Sequence, residues 1–209
     1  MIYSFLDNHA LINHLINSGV LRSSRITEAF ENVDRIDFVG DAGRADIYGD
    51  YPLQIGYGQT ISQPTTVAFM LEMLQAKKGD KVLDIGSGSG WTTALLAYIV
   101  GEKGMVIGLE RVPHLVRFGR DNLKKYKFKN AEIMQAGNRL GIAGQKFDRI
   151  LVSAAADEFP VELADQLKVG GKLVIPVGDY IFEVTKKENE KLDVIEHYGF
   201  SFVPLIFEE

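Results

Sequence analysis

Ten residues in the middle of the chain, Val82-Leu83-Asp84-Ile85-Gly86-Ser87-Gly88-Ser89-Gly90-Trp91, constrain its fold more than any others. A short apolar run with strand composition passes into a glycine-rich turn, and a helical stretch opens at Thr92. Glycines permit a tight turn and let a ligand touch the backbone, while the free amides at the helix start face that ligand. Such a turn belongs to the first strand–helix unit of a doubly wound sheet.

The rhythm downstream agrees. Val82–Ile85, Val106–Leu109, Ala131–Met134, Ile150–Val152 and Leu173–Val177 are short apolar runs, separated by helical stretches at Thr92–Val100, Pro113–Tyr126 and Pro160–Leu167. Alternation of this kind implies right-handed crossovers and a parallel sheet covered on both faces. Ile181–Thr185, Leu192–Tyr198 and Phe200–Ile206 lack helix-length spacers and are expected to be antiparallel strands. Upstream, Leu11, Leu15 and Ile16, then Ile26, Phe30 and Val33, recur at helical spacing, with Ser24 as the expected cap of the second helix. Pro52, Gly56, Gly58 and Pro64 break the helical pattern, which resumes from Pro64 to Gln75 with Val67, Met70, Leu71 and Leu74 on one stripe. The reading is an α/β chain with a mainly parallel seven-stranded Rossmann-like sheet. Residues 1–78 form a helical extension carrying a loop at 51–64, and residues 79–209 form the core of one compact unit.

The spacing of the glycines narrows the ligand. A dinucleotide turn follows G-x-G-x-x-G, and counting from Gly86 its third glycine falls on Trp91. No Walker-type lysine follows either. Asp84 with Gly86, Gly88 and Gly90 instead resembles the first motif of class I S-adenosylmethionine-dependent methyltransferases. Glu110 ends the next strand, about 20 residues on, where an acid accepts hydrogen bonds from ribose hydroxyls.

The segment Tyr51-Pro52-Leu53-Gln54-Ile55-Gly56-Tyr57-Gly58-Gln59-Thr60-Ile61-Ser62-Gln63-Pro64 resembles the substrate loop of protein-L-isoaspartate O-methyltransferases. Phe147–Ala156 is similar to that family's fourth strand and the loop after it, and Leu163–Gly178 to its fifth-strand region. Val203-Pro204-Leu205 is similar to its C-terminal segment, so the likeness spans roughly residues 10–206. The resemblance implies methyl transfer from S-adenosyl-L-methionine, leaving S-adenosyl-L-homocysteine, to the free carboxylate of L-isoaspartyl residues in peptides and proteins, a repair reaction. It implies Ser62 as the active-site serine, assisted by Thr60. Cofactor contacts are expected from Gln59, Ile61, Asp84, Gly86, Gly88, Gly90, Glu110, Arg111, Gly137 and Asn138, and a peptide groove from Pro176, Val177, Val203, Pro204 and Leu205.

One departure matters. The family carries an Asp-Gly pair after the third strand of the core, where the acid meets the adenine amino group. Here Gln135-Ala136-Gly137-Asn138-Arg139 places Gly137 at the acid and leaves Asn138 as the side-chain acceptor. The segment after Val177 also reads as shortened. Two alternatives therefore stay open at this point: a related methyltransferase acting on an ordinary aspartate of a dedicated peptide, and a non-catalytic binding protein that keeps the fold.

Composition bounds the partners. The net charge of −5 argues against a nucleic-acid partner, whose affinity rests on a basic surface. Lys124, Lys125, Lys127 and Lys129 read as a solvated helix end. With no cysteine and four scattered histidines, no metal site is expected. No apolar run approaches a membrane span and no targeting segment is evident, so a cytoplasmic protein is expected, a monomer without a membrane partner.

Overall fold

A computed structural model describes residues 5–40 and 46–207. The N-terminal part holds helices α1 (Asn8–Asn17), α2 (Ser24–Asn32) and α3 (Ile36–Val39), a hairpin of β1 (Leu53–Gly56) and β2 (Gln59–Ile61), and helix α4 (Pro64–Leu74). The core follows as β3 (Lys81–Ile85), α5 (Trp91–Val100), β4 (Met105–Glu110), α6 (Pro113–Tyr126), β5 (Ala131–Gln135), β6 (Phe147–Val152), α7 (Val161–Asp165), β7 (Leu167–Val177), β8 (Tyr180–Lys186) and β9 (Leu192–Tyr198).

The seven core strands form one sheet in the order β5-β4-β3-β6-β7-β8-β9. Pairings from β5 to β7 are parallel, and the last two are antiparallel. The chain steps outward from β3 through β4 to β5, then returns to the other side of β3 with β6. That reversal leaves a crevice beyond the carboxyl ends of β3, β4 and β6, where doubly wound sheets bind ligands.

Helix α5, Trp-Thr-Thr-Ala-Leu-Leu-Ala-Tyr-Ile-Val, has no charged face, and all of it except Tyr98 is buried. A helix apolar all round needs cover on every side. The sheet supplies one side and α2 the other. Phe30 and Phe38 of the extension join Leu95, Leu96 and Ile99 in one apolar cluster. Each fully buried phenylalanine contributes about 1.5–3 kcal/mol, which ties the extension firmly to the core.

Several local expectations need correction. Ile16 is 42% exposed, and Ile12 takes the inner face of α1 with Leu11 and Leu15. Ser24 is the first helical residue of α2, not its cap; Ser23 stands at the cap and makes no side-chain capping bond within the helix. Glu72 of α4 serves that end instead, accepting from the Arg22 amide at 2.8 Å, the Ser23 amide at 2.7 Å and the Ser23 hydroxyl at 2.6 Å. A carboxylate at a helix start satisfies orphan amides and meets the favourable end of the helix dipole. The run Phe200–Ile206 builds no ladder. Gly199 (φ +105°) turns the chain off β9, and the Gly199 and Phe200 amides bond to the Asp179 carbonyl. The tail then crosses above β6, where Pro204, lacking an N–H, makes only an isolated bridge with Ala155.

Candidate active site

The glycine turn is fixed from below and from the side. The Gly86 and Ser87 amides both donate to the Leu109 carbonyl, at 2.9 and 3.0 Å, which ties the end of β3 to the end of β4. Glu110, 5% exposed, accepts from the Gly88 amide at 2.9 Å through Oε2 and from the Val112 amide at 2.7 Å through Oε1. A carboxylate has about four acceptor positions, so two backbone donors leave room for ribose hydroxyls. Glu110 thus both organises the turn and borders the crevice.

Gly90 (φ +91°) is the N-cap of α5, and a Cβ there would lie 2.9 Å from Ile133 Cδ1 and 3.3 Å from the Gly119 carbonyl. Gly119 of α6 is equally close, with a Cβ meeting Ile133 at 2.7 Å and the Gly88 carbonyl at 3.2 Å. Two glycines therefore let α6 press on the turn, and Asn122 locks the contact by donating to the Ser89 carbonyl at 2.9 Å. Trp91 leaves this packing undisturbed because its ring turns toward the extension. It lies edge-on to Phe30 at 5.6 Å and under the Arg35 guanidinium at 4.9 Å.

Asp84 is fully buried at the end of β3. Its Oδ2 accepts from the Thr92 and Thr93 hydroxyls at 2.8 and 2.6 Å, while Oδ1 has no partner among the described residues. Burial pushes its carboxyl up to about 6, the two hydroxyls pull it back down, and Glu110 adds to the rise. The Ser87 hydroxyl is likewise buried and unpartnered among the described residues. A buried acid and an orphaned hydroxyl beside a glycine turn suit a ligand that carries positive charge and hydrogen-bonding groups.

A cavity of about 240 Å³ opens above the turn. Gln59, Thr60, Gly86, Gly88, Glu110, Arg111, Gly137, Asn138, Val203, Pro204 and Leu205, all expected at the site, line it. Gly90 and Asp84 lie behind the wall rather than on it. Gly137 is exposed, and a Cβ there would meet open space. Ser62 and Ile61 border an adjoining cleft of about 30 Å³, which they share with Thr60, Gly86, Gly88 and Ser153. Ser62 and Thr60 thus stand beside the glycine turn.

The β1–β2 hairpin brings them there. Its tip, Tyr57-Gly58, has positive φ at both residues, the conformation of a tight hairpin turn. Tyr57 stacks on His114 at 4.9 Å, and a Cβ on Gly88 would lie 3.3 Å from Ile55, so the hairpin rests on the turn and reaches α6. Pro176 and Val177 are not brought to either cavity. The Pro176 carbonyl accepts from the Ala156 amide at 3.0 Å. The Val203 carbonyl and Leu205 amide are likewise taken by Ala155, at 2.8 and 2.7 Å. Those particular backbone groups are already paired, so a peptide would meet the side chains of 203–205 or other backbone groups.

Two site residues escape sequence reasoning. Ser153 directly follows β6 at the crevice, and its position just past the carboxyl end of a parallel strand is the signal that finds it. Arg35 sits in the polar stretch Asp34-Arg35-Ile36-Asp37, which reads as surface, yet its side chain is fully buried.

A seven-stranded doubly wound sheet with this glycine turn, the buried Asp84 and Glu110 at the end of β4 defines a class I S-adenosylmethionine-dependent methyltransferase. The family model of protein-L-isoaspartate (D-aspartate) O-methyltransferase matches residues 6–209. The chain is 43% identical over 205 residues to a protein-L-isoaspartate O-methyltransferase of Methanopyrus kandleri, covering 95% of this chain and 91% of the relative. It is 42% identical over 196 residues to that of Pyrococcus horikoshii, covering 91% and 88%. A Plasmodium falciparum structure described as a protein-L-isoaspartate O-methyltransferase in complex with S-adenosyl-L-homocysteine superposes with a TM-score of 0.86 at 30% identity, over 97% of this chain and 99% of that one. The chain belongs to the protein-L-isoaspartate (D-aspartate) O-methyltransferase family and is an S-adenosylmethionine-dependent protein carboxyl methyltransferase.

Proposed function

We propose that this enzyme methylates the free carboxylate of L-isoaspartyl residues, with Ser62 as the catalytic residue that touches the acceptor and Thr60 assisting it. The observation that carries the reading is the meeting of Thr60 and Ser62 with Gly86, Gly88 and Ser153 at one cleft opening beside the larger cavity. S-adenosylmethionine supplies a methyl group on a positively charged sulfur. The acceptor is ionised at neutral pH, since a free carboxyl titrates near 4, so no strong base is required. What remains is to strip water from the carboxylate and aim one oxygen. A serine hydroxyl donates to the other oxygen and leaves the attacking one free. The methyl ester formed is an activated acyl group. The following backbone amide attacks it, methanol leaves, and the resulting succinimide opens partly to normal aspartate without further enzymatic help.

Gln59, Gly86, Gly88 and Arg111 hold the cofactor in this reading, with Ile61 at the adjoining cleft and Gly90 and the ionised Asp84 supporting the turn from behind, and Glu110 takes the ribose with its remaining acceptor positions. Asn138 replaces the missing acid at adenine. Val203, Pro204 and Leu205, with Pro176 and Val177 behind them, flank the peptide. Residues 1–78 act as the lid that carries the acceptor-binding hairpin over the core. The protein works as a cytoplasmic monomer on peptides and proteins rather than on nucleic acid or at a membrane, a reading supported by its net charge of −5 and cysteine-free composition. Among the described residues no helix is long and apolar enough to cross a membrane.

Ser62→Ala tests the assignment. Turnover is expected to fall about 10- to 100-fold, since one hydrogen bond to a charged group is worth about 1.5–3 kcal/mol, with the cofactor Kd within about twofold. An unchanged kcat would remove Ser62 from the reaction.

A further inference from the structure

We infer that Arg35 is a positioning residue for methyl transfer, acting through the main chain of Ser62. Its guanidinium is completely buried and donates to two carbonyls that lie on either side of the β1–β2 hairpin: Ser62 at 2.7 Å and Tyr51 at 3.1 Å. One rigid planar fork thus clasps both feet of the hairpin. Its face lies over Trp91, the first residue of α5, so the clasp is referenced to the helix that leaves the glycine turn.

The surroundings hold Arg35 in place. Helix α3 is pinned to α6 by Tyr126, whose hydroxyl accepts from the Asp34 amide at 3.0 Å and donates to Asp37 at 2.6 Å. Tyr48 donates to Asp34 from the other side. Asp50 supplies the favourable charge, and it also caps α4 by accepting from the Thr65 amide at 2.9 Å and the Thr65 hydroxyl at 2.7 Å. Ser62 therefore sits between two anchored points, the guanidinium clasp and the start of α4.

Burying a guanidinium is costly, and the cost is visible. Desolvation lowers the Arg35 pKa to about 9, and its Nε has no partner among the described residues. A methionine of similar length would avoid the desolvation of a charge, but it would leave the Ser62 and Tyr51 carbonyls without their donor. What an apolar side chain cannot do is fix two carbonyls at once. Lysine cannot either, because its ammonium is a point donor rather than a planar fork. The arginine is therefore explained by geometry demanded at Ser62, where a misplacement of about 1 Å costs on the order of 100-fold in rate.

This inference rests on the assignment of Ser62 to the acceptor, and a double-mutant cycle separates the two. Arg35→Lys, Arg35→Met, Ser62→Ala and the double variant Arg35→Lys/Ser62→Ala are assayed on an isoaspartyl peptide, with kcat normalised to sites titrated by S-adenosylhomocysteine in a calorimeter. Each Arg35 variant should lose about tenfold or more in kcat, with Kd for S-adenosylhomocysteine held within about twofold. In the Ser62→Ala background Arg35→Lys should cost less than about twofold, because the hydroxyl that the clasp positions has gone while the carbonyl it holds remains. A purely structural arginine would instead give the same loss in both backgrounds, and that additivity overturns the inference. Unchanged kcat in both Arg35 variants, or loss of S-adenosylhomocysteine binding in both, also overturns it. An unaffected Ser62→Ala variant would overturn the Ser62 assignment itself.

Discussion

Replacing Asp84 by asparagine isolates the cost of one buried charge at the cofactor site. The carboxyl ionises at 3.8 in water but is pushed up to about 6 here, chiefly by burial against the weaker pull of the Thr92 and Thr93 hydroxyls. A folded-state value above the unfolded one means a contribution that is full below the unfolded pKa and lost as pH rises through the folded pKa. Each pH unit in that window is worth ~1.4 kcal/mol, so above pH 6 the charge costs the cofactor-free fold about 3 kcal/mol. Asparagine keeps the shape, and the threonine hydroxyls can rotate to meet its amide. Urea denaturation of wild type and Asp84→Asn without cofactor, from pH 8 to pH 4.5, reads the effect. The variant should be the more stable at pH 8, and its advantage should shrink by about 2 kcal/mol by pH 4.5. Cofactor affinity should move the other way. Wild-type binding of the cationic S-adenosylmethionine should weaken as pH falls through 6, and Asp84→Asn should bind poorly at every pH. Parallel stability curves across the range would refute the reasoning.

Other perturbations read the remaining parts of the site. Gly137→Asp restores an acid at a position with open space for its side chain. One charge-assisted hydrogen bond is worth about 1.5–3 kcal/mol, discounted for the exposed position, so calorimetry should show about tenfold tighter cofactor binding; an unchanged Kd would place adenine elsewhere. Gly119→Ala adds a methyl 2.7 Å from Ile133 and 3.2 Å from the Gly88 carbonyl. Overpacking of this kind costs about 1–3 kcal/mol, and because Gly88 must shift, cofactor affinity should fall along with the melting temperature. A more stable variant would mean that helix propensity outweighs the clash.

The core was legible because its signals are local. Glycines 86, 88 and 90, Asp84 and Glu110 stand at spacings set by one strand–turn–helix unit and the strand beside it, and parallel pairing brings them together. The hairpin residues Thr60 and Ser62 were legible only through resemblance, since a Pro/Gly-rich stretch by itself reads as a turn. What stayed hidden depends on long-range packing. Nothing in the sequence marks Arg35, just before α3, as the fully buried side chain that it is. The capping of α2 by Glu72 links residues 49 positions apart. Glu110 was expected to serve the ribose, and its two bonds to the Gly88 and Val112 amides could not be read from its position in the sequence. The tail 200–206 has strand composition, yet the turn at Gly199 and the missing amide of Pro204 direct it over β6 instead of along β9.

The most direct test of the proposed reaction compares two peptides of identical sequence, one with an L-isoaspartyl residue and one with ordinary L-aspartate at the same position. Initial rates of methyl incorporation from S-adenosylmethionine should favour the isoaspartyl peptide by at least about 100-fold in kcat/KM, within the range a site that fixes backbone and carboxylate geometry can achieve. Similar rates on both peptides would contradict a repair enzyme and point to a methyltransferase of ordinary aspartate.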